Sequence, residues 1–208
     1  TSMFSSGLSQ QLLDRIKMKF LLSSESLPIR YLGLPLCSKR LSVKDCDPLL
    51  SQIRRKLNGW LNRRLSIAGR LRLISTVISG NVGFWTSAFL LPKRVKQLIN
   101  SLTTSFLWEG TLDNSNGAKV AWDAICFPKS EGGLGLRSIS SWNSIYSLKL
   151  IWFLFFRSGS LWVAWISSNR FNGKSYWLVN DSQRFSATIR GMLQLKHLLP
   201  QFLRCTVG

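Results

Sequence analysis

The sequence predicts a mainly α-helical protein in which one short strand or hairpin precedes the helices. Apolar residues recur three or four positions apart in several long segments, which is the spacing of one helix face. Only residues 30–36 combine alternating apolar residues with glycine and proline in the manner of a strand. Hydrophobic residues make up 45% of the 208, which is enough for a core that needs no covalent staples.

The N-terminal part predicts one helix and one extended element. Residues 8–20 place apolar side chains every four positions, at Leu8, Leu12, Ile16 and Phe20. Pro28 ends any helix that continues into the polar turn after them. The segment RYLGLPL at residues 30–36 then predicts an extended strand, because Gly33 and Pro35 disfavour a helix.

Three longer helices are predicted in the middle of the chain. Residues 45–60 form the first, whose apolar stripe is Leu49, Ile53, Leu57 and Trp60. Ser66 caps the second, which ends near Gly80 and Gly83 and turns inward Ile67, Leu71, Ile74 and Ile78. Residues 93–108 form the third, which buries Val95, Ile99, Leu102, Phe106 and Leu107.

Helical periodicity continues in the C-terminal half and then weakens. A polar loop at 111–117 and a glycine-rich turn, PKSEGGLGL, flank a segment that predicts a short helix or an extended arm over 118–126. Residues 142–156 predict a long helix and 161–166 a short one. After Ser167 no period is clear enough to assign an element.

Charge is the most unusual property of the chain. Lys and Arg number 28 against nine Asp and Glu, which gives a net charge of +19. No acidic residue lies between Asp47 and Glu109, and that tract holds ten cations: Arg54, Arg55, Lys56, Arg63, Arg64, Arg70, Arg72, Lys93, Arg94 and Lys96. Such charge opposes compaction unless a polyanion offsets it. Nucleic acid is the commonest such partner, an anionic membrane surface is the rival, and a merely soluble basic protein is the remaining alternative.

The apolar run at residues 150–156 bears on the membrane alternative. Its seven residues lie between Lys149 and Arg157, and Gly159 follows. A membrane-spanning helix needs roughly 20 apolar residues in succession. The run therefore predicts a pair of buried helices, in a protein with no membrane partner.

The sequence predicts no catalytic residue, metal site or cofactor. Asp45 and Asp47 flank Cys46 like a metal pair, but carboxylates at a helix N-terminus explain them better, with Asp47 as the cap. His197 has no carboxylate or cysteine neighbour in the sequence. The glycines around Gly133 do not follow a predicted strand, and no Lys-Ser/Thr pair follows them, as a phosphate loop would require. Four widely spaced cysteines predict buried, reduced thiols in an intracellular protein. We expect no small-molecule ligand.

Basic helices with aromatic residues between them favour a nucleic-acid surface. Arginine outnumbers lysine between residues 51 and 75, which favours forked hydrogen bonds to phosphate oxygens. Trp60 and Trp85 are candidates for stacking on bases, with packing in the core as the alternative. Core packing is favoured for Trp60, because it lies on the apolar stripe of its helix.

Five segments of the chain follow one another in a characteristic order. They are RYLGLPL (30–36), LLSQIRRKLNGW (49–60), LSIAGRLRLISTVISG (65–80), FWTSAFLLPKRVKQLINSLTTSFLWEG (84–110) and KVAWDAICFPKSEGGLGLRSISSWNSIYSLKLIW (119–152). This order resembles the region after the catalytic palm in non-LTR, LINE-type reverse transcriptases, the plant branch most of all. The resemblance covers roughly residues 4–166. Each motif alone is weakly specific, whereas five in the same order are specific.

The resemblance implies roles for two groups of residues. In that family the segment that matches Tyr31, Leu32 and Gly33 is the primer grip, which holds the primer terminus toward the active site. The helices after it form the thumb, which lies along the template–primer duplex. Its basic positions would correspond here to Arg54, Arg55, Lys56, Arg63, Arg64, Arg70 and Arg72. Lys93, Arg94 and Lys96 are further predicted nucleic-acid contacts. The implied partner is RNA or an RNA–DNA duplex, bound without sequence preference, and the resemblance also allows a palm domain that acts in trans.

The resemblance also divides the chain into three parts. Residues 1–47 match the end of the palm with the primer grip, 48–110 a thumb-like bundle of basic helices, and 111–208 a helical linker region. The family's Tyr/Phe-Ala-Asp-Asp signature and upstream aspartate, which bind two metal ions, do not occur in these residues. The Cys/His-bearing domain of plant elements does not occur either. We therefore expect a non-catalytic, nucleic-acid-binding fragment, with a protein-interaction or structural module as the alternative.

Overall fold

The computed structural model describes residues 2–5, 7–25, 27–37, 39–61, 65–112, 119–156 and 159–202. Within these residues the chain is mainly helical, which confirms the predicted fold class. The backbone divides into two units, Thr1–Arg40 and Leu41–Gly208, each with its own internal contacts. The three parts predicted from the sequence, with boundaries after residues 47 and 110, stay a prediction.

The first unit contains one helix and two small strand pairs. Strands β1 (Ser2–Met3) and β2 (Ser23–Ser24) pair in parallel, and helix α1 (Gln10–Phe20) connects them. The helix forms where its four-residue spacing predicts it. None of its residues is buried, however, and Leu12 and Phe20 are 43% and 59% exposed. Its apolar face is therefore largely uncovered within this unit.

A tight hairpin occupies the segment that was predicted as a short strand or hairpin. Strands β3 (Ile29–Tyr31) and β4 (Leu34–Leu36) pair antiparallel, with Tyr31 opposite Leu34. Leu32 and Gly33 form the two-residue turn, with φ of 51° and 83°. Of the two alternatives predicted here, a strand or a hairpin, the hairpin is confirmed, because these two left-handed residues reverse the chain; glycine adopts that conformation without steric cost.

The second unit begins with two long helices that pack on each other. A single 3₁₀ turn (Lys44–Cys46) leads into α2 (Asp47–Leu61). Further along the chain, α5 (Lys93–Trp108) contacts α2. The predicted apolar stripes are confirmed by burial of Leu49, Ile53 and Leu57 on α2 and of Val95, Ile99, Leu102, Phe106 and Leu107 on α5. Their interface forms the centre of the core.

A long helical run connects α2 and α5. It consists of α3 (Ile67–Leu73), a π-helical segment (Ile74–Ile78) and α4 (Ser79–Ala88). The cap predicted at Ser66 is confirmed, since its Oγ accepts a hydrogen bond from the Gly69 amide at 3.3 Å. The prediction that Ile67 turns inward was wrong, because that side chain is 48% exposed.

The predicted end of this run near Gly80 and Gly83 was also wrong. The helix continues to Ala88, and Gly83 faces the Tyr146 hydroxyl, 3.9 Å from where a Cβ would lie. A glycine inside a helix is tolerated where another element packs close to the backbone, and α4 packs here against a later helix. Tertiary packing therefore overrides the local signal to end.

The C-terminal half consists of helices around a second group of buried side chains. Short α6 (Trp122–Ile125) precedes α7 (Ile139–Phe156) and α8 (Leu161–Asn169), close to the predicted bounds. Past the last predicted element, α9 (Ala187–Gln194) packs on α7. The buried group is Ile151, Ile166, Phe171, Tyr176, Val179, Ile189, Met192, Leu193 and Leu199. The part that the sequence left unassigned thus has a core of its own.

Helices α7 and α8 also bear on the membrane alternative. Of the helices in the described ranges, none alone has the length and apolar composition to cross a bilayer. Taken together, α7 and α8 meet that criterion, but they are sharply bent at the break between them.

Candidate nucleic-acid interface

Helix α2 turns two of the predicted contact residues toward solvent. Arg54 and Arg55 are exposed, whereas Leu49, Ile53 and Leu57 on the same helix are buried. A helix advances 100° per residue, so residues one and two places from a buried position leave the core face. The amphipathic pattern of α2 thus fixes where both guanidinium groups point.

Three further cations of the acid-free tract are exposed in the same unit. Arg72 lies on α3, and Lys93 and Arg94 form the first turn of α5. Cations at a helix N-terminus oppose its macrodipole, at a cost of about 0.3–1 kcal/mol each at low ionic strength. No acidic residue lies in that first turn to offset them.

These five residues, Arg54, Arg55, Arg72, Lys93 and Arg94, are called the exposed cations below. In the ranges that the structure describes, no hydrogen bond or ion pair involves the side chain of any of them. The ion pair found in those ranges, Asp14 with Lys17 at 3.7 Å, lies in the first unit. The exposed cations are consequently available to an external anion.

Two other cations of the tract are half-buried and tie helices together. The Lys56 ammonium donates to Asn81 Oδ1 at 3.2 Å, which links α2 to α4. The Lys96 ammonium donates to Ser140 Oγ at 3.4 Å, which links α5 to α7. Both side chains therefore have partners inside the protein that the sequence could not indicate.

Arg70 makes more contacts within the protein than Lys56 or Lys96 does. Its Nε donates to the Leu65 carbonyl at 3.2 Å, and its Nη1 lies 3.4 Å and 3.1 Å from the carbonyl oxygens of Phe106 and Leu107. The last carbonyls of an α-helix lack intrahelical partners, and a cation there also complements the macrodipole. Arg70 thus caps the C-terminus of α5.

The remaining predicted contacts lie elsewhere. Arg63 and Arg64 fall outside the described residues. Tyr31, Leu32 and Gly33 form the hairpin turn of the first unit, where Tyr31 is 61% and Leu32 76% exposed. Exposure at a hairpin tip suits a contact residue, and the role of this turn as a primer grip stays a prediction.

The two tryptophans considered for base stacking differ in position. Trp85 is 3% exposed and packs in the core, so its ring offers no face to a base. Trp60 is half-buried, and its ring lies 6.0 Å from that of Phe106. Trp60 also lines an open groove of about 540 Å³, together with Ser66, Arg70 and Glu109. The preference for core packing at Trp60 fits this contact, although part of the ring reaches the groove.

The carboxylates before α2 serve the local backbone. Asp45 Oδ2 accepts hydrogen bonds from the hydroxyl and the amide of Ser42, at 2.7 and 2.8 Å, and these bonds lower the pKa of the Asp45 carboxyl. Asp47 is the first residue of α2. Across the described ranges, no three His, Cys, Asp or Glu side chains converge as metal ligands would.

One exposed group was missed by the interpretation of the sequence. Aromatic side chains at the end of α7 and in the turn at residues 176–178 lie on the surface. The signal was the dense aromatic composition of residues 152–156, which indicated burial instead. An α-helix that is apolar on every side can bury all its apolar side chains only if other elements of the protein pack around it on every side.

Comparison with known proteins gives one informative match. No protein-family model matches the chain. Over 149 residues, 70% of its length, the chain is 32% identical to a curated protein of Arabidopsis thaliana named "Putative ribonuclease H protein". The matched part covers 24% of that protein. The chain is therefore similar to about a quarter of a longer plant protein.

Proposed function

We propose that this chain is a non-catalytic fragment of a plant LINE-type RNA-directed DNA polymerase that binds template–primer nucleic acid through its basic helices. The observation that carries the proposal is the acid-free tract between Asp47 and Glu109, which leaves the exposed cations without a described internal partner. A phosphate backbone supplies the missing negative charge, and it does so for any base sequence.

The similarity to the Arabidopsis protein supports the retroelement part of the proposal. Ribonuclease H chemistry, to which that protein's name refers, and reverse transcription both concern RNA paired with DNA. The ordered motifs over residues 30–152 support the narrower assignment to the region after the palm. The match extends over 70% of the chain, so it covers more than any single motif could.

Geometry suggests two roles for the eight described cations of the tract. The exposed cations would contact phosphates, and Arg63 and Arg64, outside the described residues, remain proposed contacts by sequence. Lys56, Arg70 and Lys96 would position the helices, because each already holds an oxygen atom of the protein. Arginine at the contact positions suits forked hydrogen bonds to phosphate oxygens. Tyr31, Leu32 and Gly33 would add the primer contact.

Replacing Arg54 and Arg55 together by serine should weaken binding to an RNA–DNA hybrid and reduce its salt dependence. The slope of log K against log salt is about −0.9 per phosphate contact for duplex DNA, so two lost contacts should make it shallower by nearly two. We expect this from titrations of a labelled hybrid at several salt concentrations. Since both side chains are exposed, the melting temperature should stay unchanged.

A matched control removes the same charge elsewhere. Lys119 and Lys129 are both exposed and lie outside the acid-free tract. Their double replacement by serine should leave the slope nearly as it is. Equal loss in both double variants would mean that net charge alone drives binding, which contradicts a localised surface.

The second part of the proposal is that the chain does not extend a primer alone. Purified protein with primer–template, nucleotides and Mg²⁺ should yield no product, because the carboxylates of a two-metal centre have no counterpart among its residues. An active reverse transcriptase serves as the positive control. Extension that Asp45→Asn or Asp47→Asn abolishes would overturn this part.

A protein-interaction module is the second candidate, and one observation favours it. Helix α1 has no buried residue: Met18 within it is 78% exposed, and Leu21 directly after it is 91% exposed. A palm domain in trans would cover such a face. On that alternative, serine at Arg54 and Arg55 would weaken a protein contact and leave affinity for the hybrid unchanged.

A further inference from the structure

Two pairs of exposed aromatic side chains lie at the end of α7. The rings of Trp152 and Phe156 stack with centroids 3.8 Å apart and planes 23° from parallel, and they are 52% and 58% exposed. On the same side of α7, Phe155 lies 6.0 Å from Trp177, which is 44% exposed. These four residues are called the aromatic patch. Burying them would gain free energy, so their exposure needs an explanation.

The turn that carries Trp177 is firmly held. The buried Tyr176 hydroxyl donates to the Met192 carbonyl at 2.6 Å, and burial raises the Tyr176 pKa to about 12, so it remains a donor at neutral pH. The Lys196 ammonium donates to the carbonyls of Trp177, at 3.2 Å, and of Val179. A ring held by such contacts is pre-organised and loses little entropy on binding.

A basic groove adjoins the turn that carries Trp177. It has a volume of about 200 Å³ and includes Leu178, the neighbour of Trp177, in its lining. Two cations, Arg170 and Lys174, line the same groove. The Arg170 guanidinium also lies 5.0 Å from the centre of the Trp165 ring, so a cation and an aromatic face are neighbours at this groove.

The charge of this part of the chain indicates what would cover the patch. Residues 132–202 contain one carboxylate, Asp181, and eight cations: Arg137, Lys149, Arg157, Arg170, Lys174, Arg184, Arg190 and Lys196. Charge complementarity therefore favours an anionic partner as the molecule that covers the patch. The exposed residues of the patch are all aromatic, and every nucleobase has a π face that stacks on such rings.

From these observations we infer that the aromatic patch is a stacking platform for single-stranded nucleic acid, whose phosphates lie along the basic groove. This inference rests on the proposed function and adds a second surface to it: the exposed cations bind duplex, and the patch binds unpaired nucleotides. Such a surface would hold the single-stranded nucleic acid that extends beyond the duplex. It needs no base-specific hydrogen bonds, so it would bind any sequence.

The test compares two double variants of the full chain. Phe156→Ala with Trp177→Ala should weaken binding to a labelled single-stranded RNA about tenfold or more, measured by fluorescence anisotropy. Phe156→Leu with Trp177→Leu keeps the apolar area and removes the rings, and it should give a similar loss. Phe127→Ala, at an exposed ring outside the patch, should bind as the parent does. Circular dichroism and the melting temperature confirm that each variant is folded.

Two probes separate stacking from other contacts. An abasic strand with the same number of phosphates should bind about tenfold or more weakly than the RNA, because it offers no bases to stack. Vesicles of phosphatidylserine should bind the leucine variant no less than the parent. Equal affinity for the abasic strand, unchanged RNA affinity in the alanine variant, or RNA binding preserved by leucine would each overturn the inference.

The outcome is distinguishable from failure of the proposed function. The patch variants should keep the affinity of the parent for an RNA–DNA hybrid, whereas serine at Arg54 and Arg55 should weaken it. If the hybrid is bound through these arginines and the patch variants bind single-stranded RNA as tightly as the parent, only the inference fails. If no hybrid is bound at all, the proposed function fails first.

Discussion

Replacing Gly133 by alanine is expected to lower the free energy of unfolding by about 3 kcal/mol, because a side chain there collides with backbone. A Cβ at this position would overlap the carbonyl group of Phe127 and lie 2.7 Å from the Phe127 Cα. Backbone cannot rotate aside as a side chain can. The clash therefore has to be relieved by moving the whole turn.

Hydrogen bonds hold that turn on both sides of Gly133. The Gly133 amide donates to the Pro128 carbonyl at 3.1 Å, and the Gly135 amide donates to the Phe127 carbonyl at 3.0 Å. Between them, the Leu134 amide donates to the Ile125 carbonyl at 2.9 Å. Moving the turn would break one or more of these bonds, and each adds about 0.5–1.5 kcal/mol to the cost.

Urea denaturation followed by circular dichroism measures the effect. Gly59→Ala is the matched control, because Gly59 lies in α2 with open space around its Cα. That change should stabilise the protein by about 0.5–1 kcal/mol, since alanine loses less entropy than glycine in a helix. An unfolding free energy for Gly133→Ala close to that of the parent would show that the turn has another conformation in solution.

The helices differ in how well the sequence predicted them, and the differences have physical causes. Helix α5 was predicted with its bounds and five of its seven buried residues, because a long one-sided apolar stripe follows Pro92. Helix α9 was missed, although Ser186 caps it with a hydrogen bond from the Ile189 amide at 3.3 Å. Eight residues are too few to establish a period, so its cap was the one usable signal.

Two other misses came from conformations that local sequence does not specify. The turn at Leu32 lacks the Asn-Gly or Asp-Gly pair that marks a tight hairpin, so nothing signalled a left-handed leucine. The π-helical segment forms where the hydroxyl groups of Ser75 and Thr76 both donate to the Arg72 carbonyl, at 2.9 and 2.8 Å. Such competition between side chain and backbone depends on the surrounding packing.

The sequence predicted where along the chain the candidate site lies. It did not predict which of its cations face solvent and which bind other parts of the protein. The absence of acids between residues 48 and 108 indicated a charged surface. Arg70 and Arg72 lie two positions apart and are the same residue type, so composition cannot separate them. Only the fold shows that Arg70 meets the end of α5, whereas Arg72 meets solvent.

That difference between Arg70 and Arg72 leads to the second large effect. Arg70→Met should lower the free energy of unfolding by about 2–3 kcal/mol, because hydrogen bonds from a charged donor to three carbonyls are lost. Gly110 contributes to the same site: its φ is +69°, and a Cβ on it would lie 3.1 Å from the Arg70 Cζ. The glycine leaves room for the guanidinium at the helix end.

Replacing Arg70 by lysine keeps the positive charge but removes the forked guanidinium, so it separates the contributions of the two to stability. A single ammonium cannot reach the Leu65 carbonyl and the end of α5 together, so Arg70→Lys should recover only part of the lost stability. Arg72→Met is the matched control, since it removes the same charge two residues away. It should leave the unfolding free energy within about 0.5 kcal/mol of the parent.

Arg70→Met should cause the larger loss of stability, whereas Arg72→Met should cause the larger loss of affinity for the RNA–DNA hybrid. Arg72→Met should weaken binding to the RNA–DNA hybrid and make its salt dependence shallower by nearly one phosphate contact. Arg70→Met, measured at a temperature where it is folded, should leave the slope unchanged, because its guanidinium already faces backbone carbonyls. A shallower slope for Arg70→Met, with unchanged stability, would place that arginine among the phosphate contacts and contradict its role as a cap.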